Sequence, residues 1–354
     1  MPLAQQVERR LAEPKTGEVF VDGNGGRARP AVEQRQFAKH HAGGKGHEPD
    51  IAVIVADMNT GAAFRDQIER RAGIAVPEHD MSGRPCYRLQ RAAQPFDLVH
   101  DMSGSFWPRA AEIDVPVLAT LHLPRSFYEE RLFCDVPLNV RFNCVSASQA
   151  REFADLQVET VVPNGIRLER FAGNEMQPRD GLLWLGRICP EKAPHMALEI
   201  ARRARRPITL AGQVYPFSYH QQYFSSAVVP RLRQMPDAIF ISTPSAALKR
   251  RLLAEARAVL ITSQAEETSS LVAMEAAASG TPVVAFRRGA LPEIIEDGVT
   301  GFLADDFDDA VRLLSGIGEI RSEECRRHAA RFSGAMTAQA YSSLYEEMMA
   351  TVMV

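Results

Sequence analysis

The chain has 354 residues, which is long enough for two domains that each bury a core. Its 44 acidic and 41 basic side chains nearly cancel. The overall charge therefore favours neither nucleic acid nor an anionic membrane as a partner.

The five cysteines are scattered along the chain and form no C-x-x-C pair. This pattern argues against a disulfide scaffold or a zinc site and favours a reducing compartment. The first residues are polar and charged, and no apolar run approaches the roughly 18 residues of a membrane span. We therefore expect a cytoplasmic protein, with peripheral contact at the inner face of the membrane left open.

The first 95 residues carry a weak pattern. A glycine pair, Gly25 and Gly26, lies between a short apolar segment and a weakly periodic helix near residues 31–41. Such a pair is typical of a flexible turn or of a loop that binds phosphate or an acceptor, and both interpretations stay open. The first convincing strand is predicted at residues 51–55.

Three buried strands are predicted between residues 95 and 166, of which one ends at His100, the next at His122, and the third covers residues 142–146. Side chains at the carboxyl ends of strands in an open α/β sheet face the ligand crevice. We therefore expect His122 to be functional and His100 to be a hydrogen-bonded structural residue.

A polar segment at residues 167–180 has the composition of an interdomain linker. The strand that follows it leads into Gly186, which permits a tight turn. Arg187 and Lys192 then supply a planar fork and a point charge suited to a diphosphate, although surface ion pairs would explain them too. Further along, Tyr215, His220 and neighbouring tyrosines are interpreted as aromatic packing or as one wall of a site.

Residues 258–286 form the clearest unit of the chain. Two apolar runs, at 258–262 and 283–286, flank a helix at 269–279, which predicts a βαβ unit with parallel strands. The start of the helix offers unpaired amides as an anion seat, near Ser269, Ser270 and Leu271. Two carboxylates flank that seat, Glu267 and Glu275. Carboxylates repel phosphate but accept hydrogen bonds from hydroxyls, so a ligand with both groups, such as a nucleotide-sugar, fits the pattern.

These two glutamates, with seven residues between them and followed by Gly280-Thr-Pro-Val-Val, resemble the donor-site motif of the family 4 glycosyltransferases. The segment Gly186-Arg-Ile-Cys-Pro-Glu-Lys192 is similar to a second signature of that family. One departure is the sequence Thr268-Ser269-Ser270, where the family usually has Gly-Phe-Gly. The resemblance covers roughly residues 95–350.

The resemblance implies an α/β protein of the GT-B fold, with two doubly wound Rossmann-like domains facing across a cleft. It predicts an acceptor-side domain at residues 1–166, a donor domain at 180–334 and a C-terminal helix at 335–354 that crosses back to the first domain. It implies a retaining, metal-independent transfer of a sugar from a nucleotide-diphosphate-sugar to an acceptor hydroxyl. The implied catalytic residues are His122, Glu267, Arg187 and Lys192. Gly186, Ser269, Ser270, Leu271 and Glu275 would bind the donor.

No cofactor is expected beyond the nucleotide-sugar substrate, and no metal. Asp306-Phe-Asp308 fits the D-x-D pattern of metal-dependent sugar transferases, but it is placed to open a helix, where acidic residues are favourable. The expected partners are the donor and an acceptor that is a glycan, a glycolipid or a small molecule, without nucleic acid. Two alternatives stay open: a non-catalytic nucleotide-sugar-binding protein, and another GT-B enzyme such as a nucleotide-sugar epimerase.

Overall fold

The structure is a computed structural model that describes residues 51–54, 78–79, 85–86, 97–104, 106–156, 158–171 and 180–352. Gly25, Gly26 and the helix expected near residues 31–41 lie outside the described residues, as does most of the expected linker. The domain boundaries therefore stay a prediction. Among the helices within the described ranges, none combines the length and the apolar character that crossing a membrane requires.

Two parallel sheets form the frame of the described chain. The first consists of β1 (Ile51–Ile54), β4 (Leu98–Asp101), β5 (Val117–Leu121), β6 (Val140–Cys144) and β7 (Val158–Val161), in that spatial order. Two short strands that lie between β1 and β4 in the sequence, β2 (Glu78–His79) and β3 (Pro85–Cys86), form a separate antiparallel pair.

The second sheet has six strands, namely β8 (Leu182–Leu185), β9 (Ile208–Gly212), β10 (Ala238–Ser242), β11 (Ala258–Ile261), β12 (Val283–Phe286) and β13 (Gly301–Ala304). Their spatial order is β10, β9, β8, β11, β12, β13. This is the 3-2-1-4-5-6 order of doubly wound dinucleotide-binding domains. The strand order reverses between β8 and β11, and such a reversal is where these sheets bind ligands at the carboxyl ends of their strands.

Ten α-helices are described: α1 (Ala147–Glu152), α2 (Pro194–Arg203), α3 (Ser218–Tyr223), α4 (Val229–Arg233), α5 (Ala246–Glu255), α6 (Leu271–Ala278), α7 (Leu291–Ile294), α8 (Phe307–Leu313), α9 (Ser322–Ala329) and α10 (Gly334–Val352). A π-helical segment, Phe224–Val228, joins α3 to α4.

The central strands of the second sheet are buried on both faces, which is the usual state of a parallel sheet between helices. Leu183, Val259 and Val283 pack on one face with Met274 of α6. The alternate residues pack on the other face with α2 and α8; they include Leu182, Trp184, Leu260 and Val284. The apolar runs of the sequence therefore predicted these strands because no polar face interrupts them.

The C-terminal helix α10 packs on the first sheet. Tyr341, Leu344 and Met348 of α10 form a buried cluster with Leu98 and Leu118 of β4 and β5. The opposite face of that sheet packs against the segment after β4, with Trp107 and Phe106 completely buried.

Single residues set several of the element boundaries. The helix α2 ends at Arg203 because Arg205 adopts a positive φ of 51° and Pro207 follows. The strand β6 ends at Cys144 because Ser146 caps α1, accepting a hydrogen bond from the Gln149 amide at 3.1 Å. Asp306 caps α8 in the same way, through the Asp309 amide at 2.8 Å.

Candidate functional site

Most of the residues expected to bind the donor lie where the second sheet reverses its strand order. A cavity of about 70 Å³ is lined by Gly186 and Lys192 after β8 and by Glu267 and Ser270 after β11. A larger cavity of about 240 Å³ lies elsewhere, around Glu296 and α9, and contains none of the predicted site residues. We assign the candidate site to the smaller cavity because it lies at the carboxyl ends of the strands.

Two lysine–glutamate pairs organise this site. The Lys192 ammonium lies 2.5 Å from a Glu267 oxygen, and the Glu267 side chain is only 8% exposed. The Lys249 ammonium of α5 lies 2.6 Å from a Glu275 oxygen on α6, and that glutamate is 13% exposed. Each carboxylate therefore has a cation beside it, and both keep lone pairs for ligand hydroxyls.

The loop that carries Lys192 is tied to the end of β11. The Thr262 hydroxyl lies within hydrogen-bond distance of the carbonyls of Lys192 (3.1 Å) and Ala193 (2.9 Å) and accepts from the Trp184 indole at 3.1 Å. The Gln264 amide donates to the carbonyl of Glu191 at 2.7 Å. The position of Lys192 is thus set by backbone contacts as well as by its ion pair.

Two glycines allow close backbone approach around the site. A Cβ at Gly212 would lie 1.8 Å from the Gly186 carbonyl oxygen, so the end of β9 can reach Gly186 only without a side chain. Gly289 has a φ of +53°, and a Cβ there would lie 2.3 Å from the Glu267 carbonyl oxygen. The neighbouring Ala290 amide donates to that same oxygen at 2.6 Å, which anchors Glu267.

The segment Thr268-Ser269-Ser270 leads into α6. Ser270 is the N-cap residue, and its hydroxyl accepts from the Ala273 amide at 3.4 Å. The helix begins at Leu271, two residues later than the predicted start at residue 269, and the Leu271 side chain is about half exposed. The Ser269 hydroxyl is buried and has no hydrogen-bond partner among the described residues. A buried hydroxyl without a partner, directly before a helix N-terminus, can form a hydrogen bond with a polar group of a ligand.

His122 lies at the end of β5, in the first sheet, and contacts the second. The Thr268 hydroxyl donates to the His122 carbonyl at 2.8 Å. Glycine, the residue usual at this place in the motif, has no hydroxyl to make this contact. Burial lowers the pKa of the His122 imidazole, and the nearby Asp101 carboxylate opposes that shift. The neutral imidazole that results can donate and accept hydrogen bonds with hydroxyls.

Arg187 differs from the other predicted residues because its side chain is exposed. The structure therefore brings together Gly186, Lys192, Glu267 and Ser270 around one cavity, with Arg187 at the surface beside it. Glu275 lies one helical turn into α6. The role of each residue stays a prediction.

A family profile of group 1 glycosyl transferases matches residues 179–321, which contain both signatures. The D-inositol 3-phosphate glycosyltransferase of Geodermatophilus obscurus is 34% identical over 401 aligned residues, covering 98% of this chain and 84% of the relative. The enzyme of the same name from Saccharomonospora viridis is 32% identical and covers 72% of this chain and 71% of that relative. The chain belongs to the family 4 glycosyltransferases.

Solved structures agree on the fold of this glycosyltransferase. AviGT4, a glycosyltransferase of avilamycin A biosynthesis, is 27% identical with a TM-score of 0.56, covering 73% of this chain and 76% of AviGT4. Anabaena HepE in complex with UDP-glucose is 18% identical with a TM-score of 0.60, covering 71% of this chain and 79% of HepE. The glycosyltransferase therefore has the GT-B fold, as the sequence predicted.

Residues that the sequence reasoning did not select complete the site of this glycosyltransferase. Lys249 lies on α5, and only the packing of α5 beside α6 brings it to Glu275. Asp101, at the end of β4, is completely buried and accepts from the amides of Phe106 and Trp107, both at 2.9 Å. It thereby shapes the loop after β4, next to His122. A carboxylate directly after a buried strand was the available signal for Asp101.

Proposed function

We propose that this glycosyltransferase transfers a sugar from a nucleotide-diphosphate-sugar to an acceptor hydroxyl, with retention at the anomeric carbon and without a metal ion. The observation that carries the proposal is the Lys192–Glu267 pair at the strand reversal, 2.5 Å apart and next to the start of α6. A cation for a diphosphate and a carboxylate for sugar hydroxyls thus lie side by side. This is the arrangement that the junction between sugar and diphosphate requires.

The chemistry follows from where charge develops. The bond between the anomeric carbon and the leaving diphosphate oxygen breaks, and negative charge collects on the diphosphate. Lys192, Arg187 and the first amides of α6 stabilise that charge. Glu267 and His122 bind sugar hydroxyls and orient the anomeric carbon, while Glu275, held by Lys249, binds the ribose hydroxyls. The acceptor hydroxyl then forms the new bond to the anomeric carbon, and its proton passes to the departing diphosphate oxygen.

The first test is donor binding and turnover. A bound donor stabilises the folded protein by about 2.7 kcal/mol at a concentration of 100 times its Kd, so a panel of nucleotide-sugars should raise the melting temperature selectively. UDP-glucose is the first donor to test because HepE binds it, and D-inositol 3-phosphate is the first acceptor because two relatives are named for it.

The products distinguish the alternatives. Slow release of nucleoside diphosphate and a product with retained configuration support the proposal. Binding without any hydrolysis or transfer indicates a non-catalytic binding protein. Conversion of the sugar while it stays attached to the nucleotide indicates an epimerase.

We also predict that the transfer does not require a metal ion at the D-x-D sequence. Asp306 of the D-x-D sequence caps α8, and Asp308 contacts Arg203 at 2.8 Å, so these carboxylates already have structural partners. We expect turnover to persist after treatment with EDTA, measured as the rate of diphosphate release. A large loss that Mn²⁺ or Mg²⁺ restores would contradict this mechanism.

A further inference from the structure

Three residues that can bind a metal ion lie close together at the loop that carries Lys192. Cys189 lies between Arg187 and the turn Pro190–Lys192, and Glu191 lies within that turn. His220 lies on α3, which follows β9, and is far from both in the sequence. One ligand atom from each of the three residues lies within 4.8 Å of the other two.

His220 is buried without the hydrogen bonds that a buried imidazole needs. It has no exposed surface, and neither of its ring nitrogens has a partner among the described residues. Aromatic rings enclose it, with the Tyr219 ring at 4.2 Å and the Phe217 ring at 5.4 Å between centroids. Leaving a buried polar atom unpartnered lowers the stability of the folded protein. A cation bound to one nitrogen would offset part of that cost.

The chemistry of the three side chains selects the ion. A thiolate, an imidazole and a carboxylate form a mixed sulfur, nitrogen and oxygen set, which suits Zn²⁺ and disfavours Mg²⁺ and Ca²⁺ because those ions prefer oxygen alone. Zinc–ligand distances of about 2.0–2.3 Å would require the three atoms to close by roughly 1 Å. Three protein ligands leave a fourth position for water.

We propose that Cys189, Glu191 and His220 form a zinc-binding site that fastens the Lys192 loop to the start of α3. The Glu191 carbonyl already accepts from Ser263 and Gln264 at the end of β11. A metal on the Glu191 side chain would fix the same turn from the other side. The ion would therefore add a second anchor to a turn that Thr262 and Gln264 already hold, and would not take part in the transfer. The sequence did not predict this site because only one of its ligands is a cysteine. The third ligand, His220, lies on a different connection between a strand and a helix.

Metal binding itself is the test, and it does not depend on the donor assignment. The full-length reduced protein is freed of metal and titrated with Co²⁺. We expect a thiolate-to-cobalt charge-transfer band that saturates at one ion per chain. The affinity for Zn²⁺ is then measured by competition with a chromophoric chelator. Even changes in the outer sphere of metal sites cost about 10–100-fold in affinity, so loss of a ligand should cost at least roughly 100-fold.

The variants are Cys189→Ser, Glu191→Gln and His220→Gln, with Cys134→Ser as the matched control because Cys134 is an exposed cysteine away from the cluster. Cys189→Ser should abolish the charge-transfer band, whereas Cys134→Ser should leave it unchanged. Absence of the band in the folded parent protein overturns the proposal, even if a variant fails to fold. Persistence of the band in Cys189→Ser, or unchanged Zn²⁺ affinity in all three variants, overturns it as well.

The outcome is separable from that of the proposed function. If chelation reduces turnover and Zn²⁺ alone restores it, the requirement belongs to the cluster of Cys189, Glu191 and His220. Restoration by Mg²⁺ or Mn²⁺ would instead place a metal at the diphosphate and contradict the proposed transfer mechanism.

Discussion

We assign the two glutamates of the site to different parts of the donor, so their substitutions should have different effects. Glu275→Gln should weaken binding of the donor and of the free nucleoside diphosphate alike, since both carry the ribose. Glu267→Gln should weaken donor binding much more than nucleotide binding, since it is assigned to the transferred sugar. Loss of one hydrogen bond to a charged group costs about 1.5–3 kcal/mol, which is roughly 10–150-fold in Kd. Calorimetric titration of each variant with both ligands measures the contrast, and equal losses throughout would show that the roles are not divided.

A second prediction concerns the effect of the cations Arg187 and Lys192 on the rate of transfer. Their effect should grow as charge collects on the leaving group, so Arg187→Ala or Lys192→Ala should lower kcat by roughly 100-fold or more, with a smaller change in KM. Steady-state kinetics with a saturating acceptor measure this. If either variant folds normally and turns over at nearly the parental rate, the diphosphate lies elsewhere.

The structure predicts that substitutions of Lys192 and of Arg187 affect the stability of the folded protein differently. A loop position alone predicts that both variants keep the melting temperature of the parent. Lys192, however, neutralises a carboxylate that is 8% exposed, whereas Arg187 is exposed. We therefore expect Lys192→Ala to cost about 1–3 kcal/mol of unfolding free energy and Arg187→Ala to cost almost nothing. The double variant Lys192→Ala/Glu267→Gln is the control, and it should regain much of the loss.

The sequence predicted which residues belong to the site but not how they pair. Gly186, Lys192 and Glu267 follow buried strands, and the carboxyl ends of parallel strands meet at one edge of a sheet. The pairing of Lys192 with Glu267, and of Lys249 with Glu275, depends on side-chain directions and helix packing that no local pattern encodes. The contact between Thr268 and His122 joins loops of the two sheets, and the sequence did not predict it either.

At the scale of elements, buried strands were the most predictable feature. The central strands β8, β11 and β12 are apolar on both faces, and short apolar runs between turn residues reveal them. Element ends were less predictable because single residues set them. Ser146 and Arg205 end β6 and α2 through a cap and a positive φ, and neither effect shows in the apolar pattern. The assignment of the first 95 residues stayed weak because, apart from residues 51–55, they lack a comparable apolar run.

A carboxylate on α7 joins the second sheet to a helix of the first. The oxygens of Glu293 accept from the amides of Ala147 (2.8 Å) and Ser148 (2.6 Å) at the start of α1. The helix dipole favours the negative charge there, and two amides without partners inside the helix are satisfied.

Glu293→Gln should weaken that connection by about 1–2 kcal/mol, because the charge and one acceptor are lost. Hydrogen exchange measured by mass spectrometry should show faster exchange in the peptide that contains the start of α1. Glu323→Gln is the matched control, since Glu323 lies in the first turn of α9 and is exposed. Unchanged exchange at α1 in Glu293→Gln would show that the contact carries no free energy.

At the scale of the whole molecule, the chain returns from the second sheet to the first through a short paired segment. Ile166 forms an isolated parallel bridge with Ser333, and the Gly334 amide donates to the Ile166 carbonyl at 2.8 Å. The helix α10 then covers the first sheet, where the His100 imidazole lies 2.7 Å from the Tyr345 hydroxyl and 2.6 Å from the Thr120 hydroxyl. His100 thus links the sheet to the end of the chain.

That link predicts a dependence of stability on pH. Burial, with a smaller contribution from the charge of His122, lowers the pKa of His100 from 6.5 to about 3. Between these values the unfolded chain binds more protons than the folded protein, so stability falls as the pH drops below 6.5. The slope reaches about 1.4 kcal/mol per pH unit for one such group. His100→Gln keeps polar atoms at this position but does not titrate.

We therefore expect the parent to be more stable than His100→Gln at about pH 7.5, and this advantage to shrink as the pH falls towards about 5. Melting temperatures of both proteins across this range measure the difference. Other buried histidines titrate in both proteins, so their contribution cancels in the comparison. A difference that stays constant with pH would show that His100 carries the same proton count in the folded and unfolded states, and that its bond to Tyr345 does not depend on the neutral imidazole.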